Sequence, residues 1–359
     1  MDDNDEEGEV GGGEENWRIF LPILKKIRNI VKKFTTSVMG KAELAKHSKW
    51  AIIKDCPTRW WSTLDQVERI AQIYKDSNST AIREVCKARE WSLKDLDLTT
   101  EDLEMVDLFL EFFKEFRSKS DILGGEKSSN IHLVYIFTKE LKCHIENYVN
   151  HPILGEFSQK FLINFNKQFD FILNPEHSCD ECDFQPVFLV TSILSTFYIN
   201  CLTEEEKEIG FRALLQEVRK FESPKRHASA GPQKKSDFPG LKYSSKMIDD
   251  ATMKHFSANG DLVERQFLSD KQILLREAEL KLQEIQATED KIFLMNEDPL
   301  QYWIDQSHKY SSPLPKVAFN MLSATPSSVP SERLFSIASL LSAGNKSNIL
   351  MAVFLVLIL

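Results

Sequence analysis

Apolar residues recur at intervals of three and four along most of the chain, and this spacing constrains its fold more than any other feature. Such a period places the apolar side chains on one side of an α-helix, whereas a half-buried strand needs strict alternation. β-branched runs are scarce, and neither a βαβ alternation nor a fixed-period repeat is present. The sequence therefore predicts a mainly α fold.

Three apolar stripes show the helical period most clearly. They comprise Ile23, Ile27, Ile30, Val31, Phe34 and Val38, then Leu64, Val67, Ile70, Ala71 and Tyr74, and then Leu103, Val106, Leu110, Phe113 and Phe116. Thr99–Asp102 and Thr203–Glu206 each place a capping residue before first-turn acids, which predicts helix starts. Further helices are expected at 131–149, 157–173 and 262–295.

The net charge of −9 is unevenly distributed. Residues 1–16 contain eight acids and no Lys or Arg, whereas residues 17–50 contain nine Lys or Arg and one acid, Glu43. The acidic segment is typical of a disordered tail, and the alternative is an inhibitory mimic of DNA. The first predicted helix carries a basic face that either follows a DNA backbone or is simply solvated. This face comprises Lys25, Lys26, Arg28, Lys32 and Lys33.

The cysteines, the linker and the C-terminal run limit the class of protein further. Six cysteines without a secretory signal indicate free thiols in a reducing compartment. His177, Cys179 and Cys182 could supply three zinc ligands, but a structural zinc site needs four, so we predict a polar loop and no metal or other cofactor.

Residues 223–246 have the composition of a flexible linker. The apolar run 349–359 is about half as long as a membrane span, which favours a buried element over a tail anchor.

Two sequence blocks carry a more specific signal. The first is Asp298-Pro299-Leu300-Gln301-Tyr302-Trp303, followed by Tyr310, Leu314, Ala318 and Leu322 and then by SSVPSERLFS at 327–336. The second, far upstream, is Cys56-Pro57-Thr58-Arg59-Trp60-Trp61-Ser62-Thr63. Both resemble blocks of the hAT (hobo and Activator class) transposases, including domesticated relatives that carry a BED zinc finger. The similarity covers most of residues 17–340 and is specific at its two ends.

The resemblance implies a remnant of an RNase H-like transposase fold with a large all-α insertion. We expect the N-terminal sheet and the BED finger of that family to be missing. The implied segments are the acidic tail at 1–16, a basic helix and Arg-Trp segment at 17–60, the insertion at 61–222, the linker at 223–246, a long helix at 247–296, the dimerisation region at 297–345 and an apolar tail at 346–359.

The resemblance also bears on catalysis. In hAT transposases three acids hold the metal ions that act in DNA cleavage. Glu332 matches the last of the three, although an acid in the first turn of a helix is equally explained by the helix dipole. Because the other two acids are expected to lie before residue 17, we expect no enzymatic activity, and Mg²⁺ would belong only to intact relatives.

Two further groups of residues acquire roles through the resemblance. Trp60 matches the family residue that stacks on a flipped base, and Arg59 would contact a phosphate; the alternative is that both anchor a turn to the core. The family's C-terminal region mediates dimerisation. The matching positions here are Trp303, Leu314, Ala318, Leu322, Leu334 and Phe335.

Together these features predict a non-catalytic, nuclear, hAT-derived protein that dimerises with itself or with related transposase-like proteins. DNA binding or transcription regulation would be a further role. The alternatives are a decayed transposase fragment without selected function, and a metal-dependent transposase completed by the missing acids. Neither a membrane nor a small-molecule substrate is expected as a partner.

Overall fold

A computed structural model describes residues 18–54, 61–76, 80–94, 96–125, 130–176, 184–222, 258–287 and 298–324. Every regular element in these ranges is helical, which confirms the predicted mainly α fold. The described chain forms two compact units. The first contains residues up to Ser118 together with Cys143–Phe165, and the second contains Lys119–Lys142 together with the described residues from Asn166 onward.

The N-terminal half of the described chain contains seven α-helices and one 3₁₀ helix. The α-helices are α1 Leu21–Thr36, α2 Val38–His47, α3 Ser62–Asp76, α4 Ala81–Ala88, α5 Thr100–Leu123, α6 Val134–Asn147 and α7 Gly155–Leu173, and the 3₁₀ helix is Ile131–Leu133. Helices α5, α6 and α7 each contribute residues to both units. The predicted domain boundaries come from composition and from the family resemblance, and they stay a prediction.

Helix α1 buries the predicted apolar stripe except at its last position. Five of the six residues are buried, but the side chain of Val38 is 79% exposed. The helix ends at Thr36, and Ser37 starts a new one because its hydroxyl accepts a hydrogen bond from the Gly40 N–H at 2.9 Å. The prediction that Val38 continues the stripe is therefore wrong.

Helix α5 begins at the predicted cap. The Asp102 N–H donates to the Thr99 hydroxyl at 3.1 Å, and the Asp102 carboxylate accepts from the Thr99 N–H at 2.9 Å. This is a reciprocal capping box with Asp in place of the usual Glu or Gln. The same carboxylate also pairs with Lys26 of α1, so it joins a local helix start to a distant helix.

The core of the first unit is built mainly from phenylalanine. The ring of Phe20 meets Phe109 edge-on at 5.0 Å and Phe157 at 5.1 Å, and Phe112 is also fully buried. Offset and edge-to-face arrangements of this kind are the favoured geometries for aromatic rings. The predicted α5 stripe is correct at Val106, Phe113 and Phe116, whereas Leu103 and Leu110 are only half buried because Phe109 and Phe112 face the core instead.

The second unit continues with α8 Val187–Ile193, a 3₁₀ helix at Tyr198–Cys201, α9 Glu204–Glu222, α10 Ala258–Ala287, α11 Pro299–Gln306, a 3₁₀ helix at Ser307–Lys309 and α12 Leu314–Leu322. The predicted linker at 223–246 and both ends of the long helix predicted at 247–296 lie outside the described residues. Helix α10 confirms the part of that helix that is described.

Helix α8 lies in the core of this unit. Its Ser192 hydroxyl donates to the His132 carbonyl at 2.7 Å, which links it to the 3₁₀ helix before α6. Gly210 allows α9 to approach it closely, since a Cβ at that position would lie 2.2 Å from the Ile193 Cδ1 atom. The hydrogen bond from the Ser192 hydroxyl and the small size of Gly210 thus allow the short apolar helix α8 to pack against neighbours on several sides.

Helix α9 begins with a second reciprocal capping box. The Glu206 carboxylate accepts from the Thr203 N–H at 2.8 Å, from the Tyr135 hydroxyl at 2.8 Å and from the Lys139 Nζ at 2.7 Å. Burial by itself would raise the pKa of Glu206, but Lys139 and these hydrogen bonds hold that pKa below its usual 4.5. The folded state therefore favours the ionised carboxylate.

This arrangement predicts an acid-sensitive contribution to stability. Because the folded pKa of Glu206 lies below the unfolded one, its stabilising effect is fully present above about pH 4.5 and is lost as pH falls through the folded pKa. We expect Glu206→Gln to lower the free energy of unfolding at pH 7 by about 1–3 kcal/mol. The variant should also lose less of that free energy than the native chain between about pH 5 and pH 3, measured by urea denaturation with circular dichroism.

Glu208→Gln provides the control, because Glu208 is an exposed residue of the same helix whose ion pair among the described residues is with Arg212 one turn away. Its effect should stay within about 0.5 kcal/mol. Parallel pH profiles for the native chain and Glu206→Gln would contradict the assignment.

Candidate dimerisation region

Helix α11 starts at the sequence block that begins with Asp298 and Pro299. The Asp298 side chain caps the helix by accepting from the Leu300 N–H at 2.9 Å. Pro299 occupies the first helical position, where a missing N–H costs nothing because that group has no partner within the helix. The block therefore encodes a helix start, and this start directs Trp303 inward one turn later.

Trp303 is completely buried and ties α11 to α8. Its indole N–H donates to the Leu194 carbonyl at 2.8 Å, and Leu194 directly follows the last residue of α8. The ring also packs against Tyr310 at a centroid distance of 4.8 Å. The hydroxyls of Tyr302 and Tyr310 lie 2.6 Å apart, and burial, followed by this hydrogen bond, raises the pKa of Tyr310.

The turn before α12 is held by a fully buried acid, Asp270 of α10. Its carboxylate accepts from the Ser312 N–H at 2.8 Å, from the Ser311 N–H at 2.9 Å and from the Ser311 hydroxyl at 3.2 Å. A buried carboxylate is costly unless hydrogen bonds replace its hydration. Three donors from one turn fill that role, so Asp270 fixes where α12 begins relative to α10.

Sequence reasoning missed Asp270, although a signal was present. The buried residues of α10 around it are Val263, Phe267, Leu274 and Ala278. Asp270 stands in the same stripe at helical spacing, and an acid in an apolar stripe needs a specific set of donors. The donors themselves lie about 40 positions further along the chain, so their identity depends on the fold.

The predicted dimerisation residues that are described pack inside their own chain. Trp303, Leu314, Ala318 and Leu322 are all fully buried, and Val317 and Met321 of α12 are also buried. Leu334 and Phe335 lie outside the described residues. The four buried side chains organise the helices of the region, and their predicted role at a dimer surface stays a prediction.

Two large apolar side chains of the same region face outward. Leu280 of α10 is 51% exposed and Ile304 of α11 is 56% exposed. Lys309 pairs with Glu277 at 2.8 Å and so joins the segment after α11 to the C-terminal part of α10. These exposed residues were not predicted from the sequence, since a helical period alone does not show which apolar residue falls outside the stripe.

The predicted DNA-binding residues divide into three groups. Lys25, Arg28 and Lys32 are exposed on α1. Lys26 instead pairs with Asp102, and the Lys33 ammonium lies over the Trp91 ring at 4.9 Å from its centroid. These two cations thus have partners inside the first unit, although Lys33 is also exposed, and the role of the basic face in DNA binding stays a prediction. Arg59 and Trp60 lie outside the described residues, as does Glu332.

The predictions on metal binding and on membrane association concern residues of which only some are described by the structure. The cluster of His177, Cys179 and Cys182 and the apolar run at 349–359 lie outside the described ranges. Within those ranges, no group of three or more His, Cys, Asp or Glu side chains is arranged to hold a metal ion. None of the described helices combines the length and apolarity needed to cross a membrane.

The comparison with known families bears directly on this region. Residues 277–350 match the model of the hAT family C-terminal dimerisation region, and this match supports hAT family membership. No curated protein matches the chain. The match begins in the last third of α10 and includes α11 and α12, so it contains Trp303, whereas Asp270 precedes it in the same helix α10.

We expect Asp270→Ala to destabilise this region strongly, because the buried Ser312 N–H would lose its acceptor and the more exposed Ser311 N–H would lose its hydrogen bond as well. The loss should be about 2–3 kcal/mol in the free energy of unfolding, measured by urea denaturation. Asp270→Asn keeps one oxygen acceptor but turns an amide toward the second N–H, so its effect should be smaller but clear. Asp305→Ala, an exposed acid of α11, is the control, and an equal effect of Asp270→Ala and Asp305→Ala would refute the role of Asp270.

Proposed function

We propose that the chain is a hAT transposase-derived protein whose function is to self-associate or to pair with related transposase-like proteins. The observation that carries this proposal is the match of residues 277–350 to the hAT family C-terminal dimerisation region. For such a region to form a dimer, its helices must be held in a defined arrangement. They must also expose apolar surface to the partner. Both conditions have support in the described part of the region.

The arrangement of the helices is set by two buried polar contacts. Trp303 joins α11 to the end of α8, and Asp270 joins α10 to the start of α12. The surface that remains includes Leu280 and Ile304, each more than half exposed. Both belong to the segment that matches a dimerisation region, so they are the large apolar side chains in the described part of that segment that remain available to a partner. We therefore propose that these two residues contact the partner.

Charged substitutions at these positions test the proposal. Removing one large apolar side chain from a buried interface costs about 1.5–3 kcal/mol, so Ile304→Lys and Leu280→Lys should each raise the dimer dissociation constant about tenfold or more. Sedimentation velocity across a concentration series measures this constant. Because both side chains are exposed, circular dichroism and urea stability should change little.

Gln301→Lys serves as the matched control, since it places the same charge on an exposed position of α11. It should leave the dissociation constant within about twofold, since scattered surface changes have small effects. A native chain that stays monomeric at high micromolar concentration, and that captures no hAT-related protein, would count against the proposal and favour a decayed fragment without selected function.

We propose further that the described helices descend from an RNase H-like transposase fold, with the insertion at 61–222, and that its relatives include domesticated proteins with a BED finger. The upstream Arg-Trp block and the C-terminal block support this descent, because they stand at the two ends of the similar region. Proteins of this descent act on chromosomal DNA, so we place the chain in the nucleus. Cell imaging with an antibody to the native chain tests the location, and exclusion from the nucleus would refute it.

We propose that the chain does not cleave DNA. Only Glu332 within these 359 residues matches the family's set of three acids, and a single carboxylate cannot hold two metal ions beside a phosphate. Supercoiled plasmid incubated with Mg²⁺ or Mn²⁺ should therefore be nicked no faster with the native chain than with Glu332→Ala. Metal-dependent nicking that disappears in Glu332→Ala would establish the opposite, a transposase activity.

A second candidate function is DNA binding through α1, and one observation favours it. Lys25, Arg28 and Lys32 are exposed on the same helix, whereas Lys26 and Lys33 contact other residues of the first unit. Each phosphate that such a cation neutralises releases counterions and makes binding salt-dependent. The three cations would then contact the backbone without selecting a sequence.

We expect the triple variant Lys25→Glu, Arg28→Glu, Lys32→Glu to weaken binding to a fluorescent duplex and to lower the log–log salt slope by about 3, measured by fluorescence anisotropy. The control triple variant Lys87→Glu, Arg265→Glu, Arg276→Glu changes the net charge equally at exposed positions elsewhere. If both variants bind DNA with the same affinity and slope, α1 is not the contact surface.

A further inference from the structure

Three cations of α1 form one basic stripe, defined by Lys25, Arg28 and Lys32. At 100° per residue they fall within about 60° of each other around the helix, and they span about 10 Å along its axis. All three are exposed, and none forms an ion pair with a residue that the structure describes. The stripe is therefore a row of like charges whose mutual repulsion an anion would relieve.

The other two cations of α1 are already engaged. Lys26 is paired with Asp102, whose pKa is held below its usual value by this contact and by the Thr99 N–H despite the opposing effect of burial. Lys33 lies over the Trp91 ring. The stripe thus consists of the three exposed cations of α1 for which the described residues provide neither an ion-pair partner nor an aromatic ring.

We propose that the basic stripe binds the acidic N-terminal segment of its own chain, residues 1–16. This segment has the complementary charge, since it contains no Lys or Arg. Its eight acids are Asp2, Asp3, Asp5, Glu6, Glu7, Glu9, Glu14 and Glu15. It precedes α1 by only four residues, so it is tethered directly beside the stripe.

The length of the chain fits this contact. Lys32 lies eleven residues into α1, about 16 Å from its start. Ten extended residues span about 33 Å, so acids near position 7 can return along the helix as far as Lys32 with length to spare. In an extended chain, alternate residues such as Asp5, Glu7 and Glu9 repeat about every 6.6 Å, close to the spacing of about 5 Å between successive cations of the stripe.

Tethering also explains why this partner would prevail over a free anion. A segment joined to its site by a short linker acts at an effective concentration on the order of millimolar, so contacts too weak to bind between separate molecules become populated. DNA would compete with the segment for the same three cations, and the segment would act as an internal inhibitor of DNA binding. The intramolecular contact itself requires no DNA, so it can fail or succeed independently of the second candidate function.

Carbodiimide coupling tests the contact in the intact chain, because it links a carboxylate to a lysine amine only when the two are in contact. Peptide mapping at low salt should show residues 1–16 linked to Lys25 and Lys32, with severalfold less linkage to Lys41, an exposed lysine of α2. The links should decline in about 1 M salt, where the screening length falls to about 3 Å. No links, or equal linkage to Lys41, would overturn the proposal.

Two further arms make the result decisive. In a variant with Asn for each Asp and Gln for each Glu of residues 1–16, acetylation of Lys25 and Lys32 should be at least threefold faster than in the native chain, while Lys41 is unchanged. Equal rates would overturn the proposal. In a mixture of isotope-labelled and unlabelled chains, the links should stay within one chain, and links between chains would show instead that the segment binds a second copy.

Discussion

The hydrogen bond from the Trp303 indole to the Leu194 carbonyl is the contact on which the second unit depends most. Helix α8 has only seven residues, too few to be stable in isolation, and its ends leave carbonyl groups that need donors. Trp303 supplies one such donor to the Leu194 carbonyl, just beyond the C-terminal end of α8. The hydroxyls of Ser192 and Thr191 donate to carbonyls of the 3₁₀ helix before α6. The most apolar segment of the unit can therefore be buried without leaving these polar groups unsatisfied, and α11 is held as a consequence.

Charged residues in this protein connect local structure to distant structure. Asp102 and Glu206 each complete a capping box within three residues, and each also accepts from a lysine of another helix. Asp270 uses its carboxylate to position the turn before α12. Asp102 and Glu206 thus tie a helix start to a second helix, and Asp270 ties α10 to the start of α12. Within the region matched to the hAT dimerisation model, the position of α12 therefore depends on Asp270.

Local signals predicted much of the fold. The period of apolar residues located α1, α3 and α5, and the Thr99 and Thr203 capping patterns located the starts of α5 and α9. The stripe failed at Val38, because the Ser37 hydroxyl starts a new helix there, and it was shifted at Leu110, because neighbouring phenylalanines pack better into an aromatic core. Both errors arise where one local preference competes with another and packing selects between them.

The sequence by itself determined that the chain is helical, where α5 and α9 begin, and that residues 297–345 resemble a dimerisation region, since these properties depend on residues within a few turns of each other. Only the tertiary structure decided which members of that region are internal and which face outward. Trp303 and Ala318 are buried because α8 and the helices around them close over those positions, while Ile304 is left exposed beside them. It likewise decided that Lys26 is neutralised by Asp102, whereas Lys25 one position earlier is open to solvent. These outcomes depend on contacts between residues far apart in the chain, which no local pattern encodes.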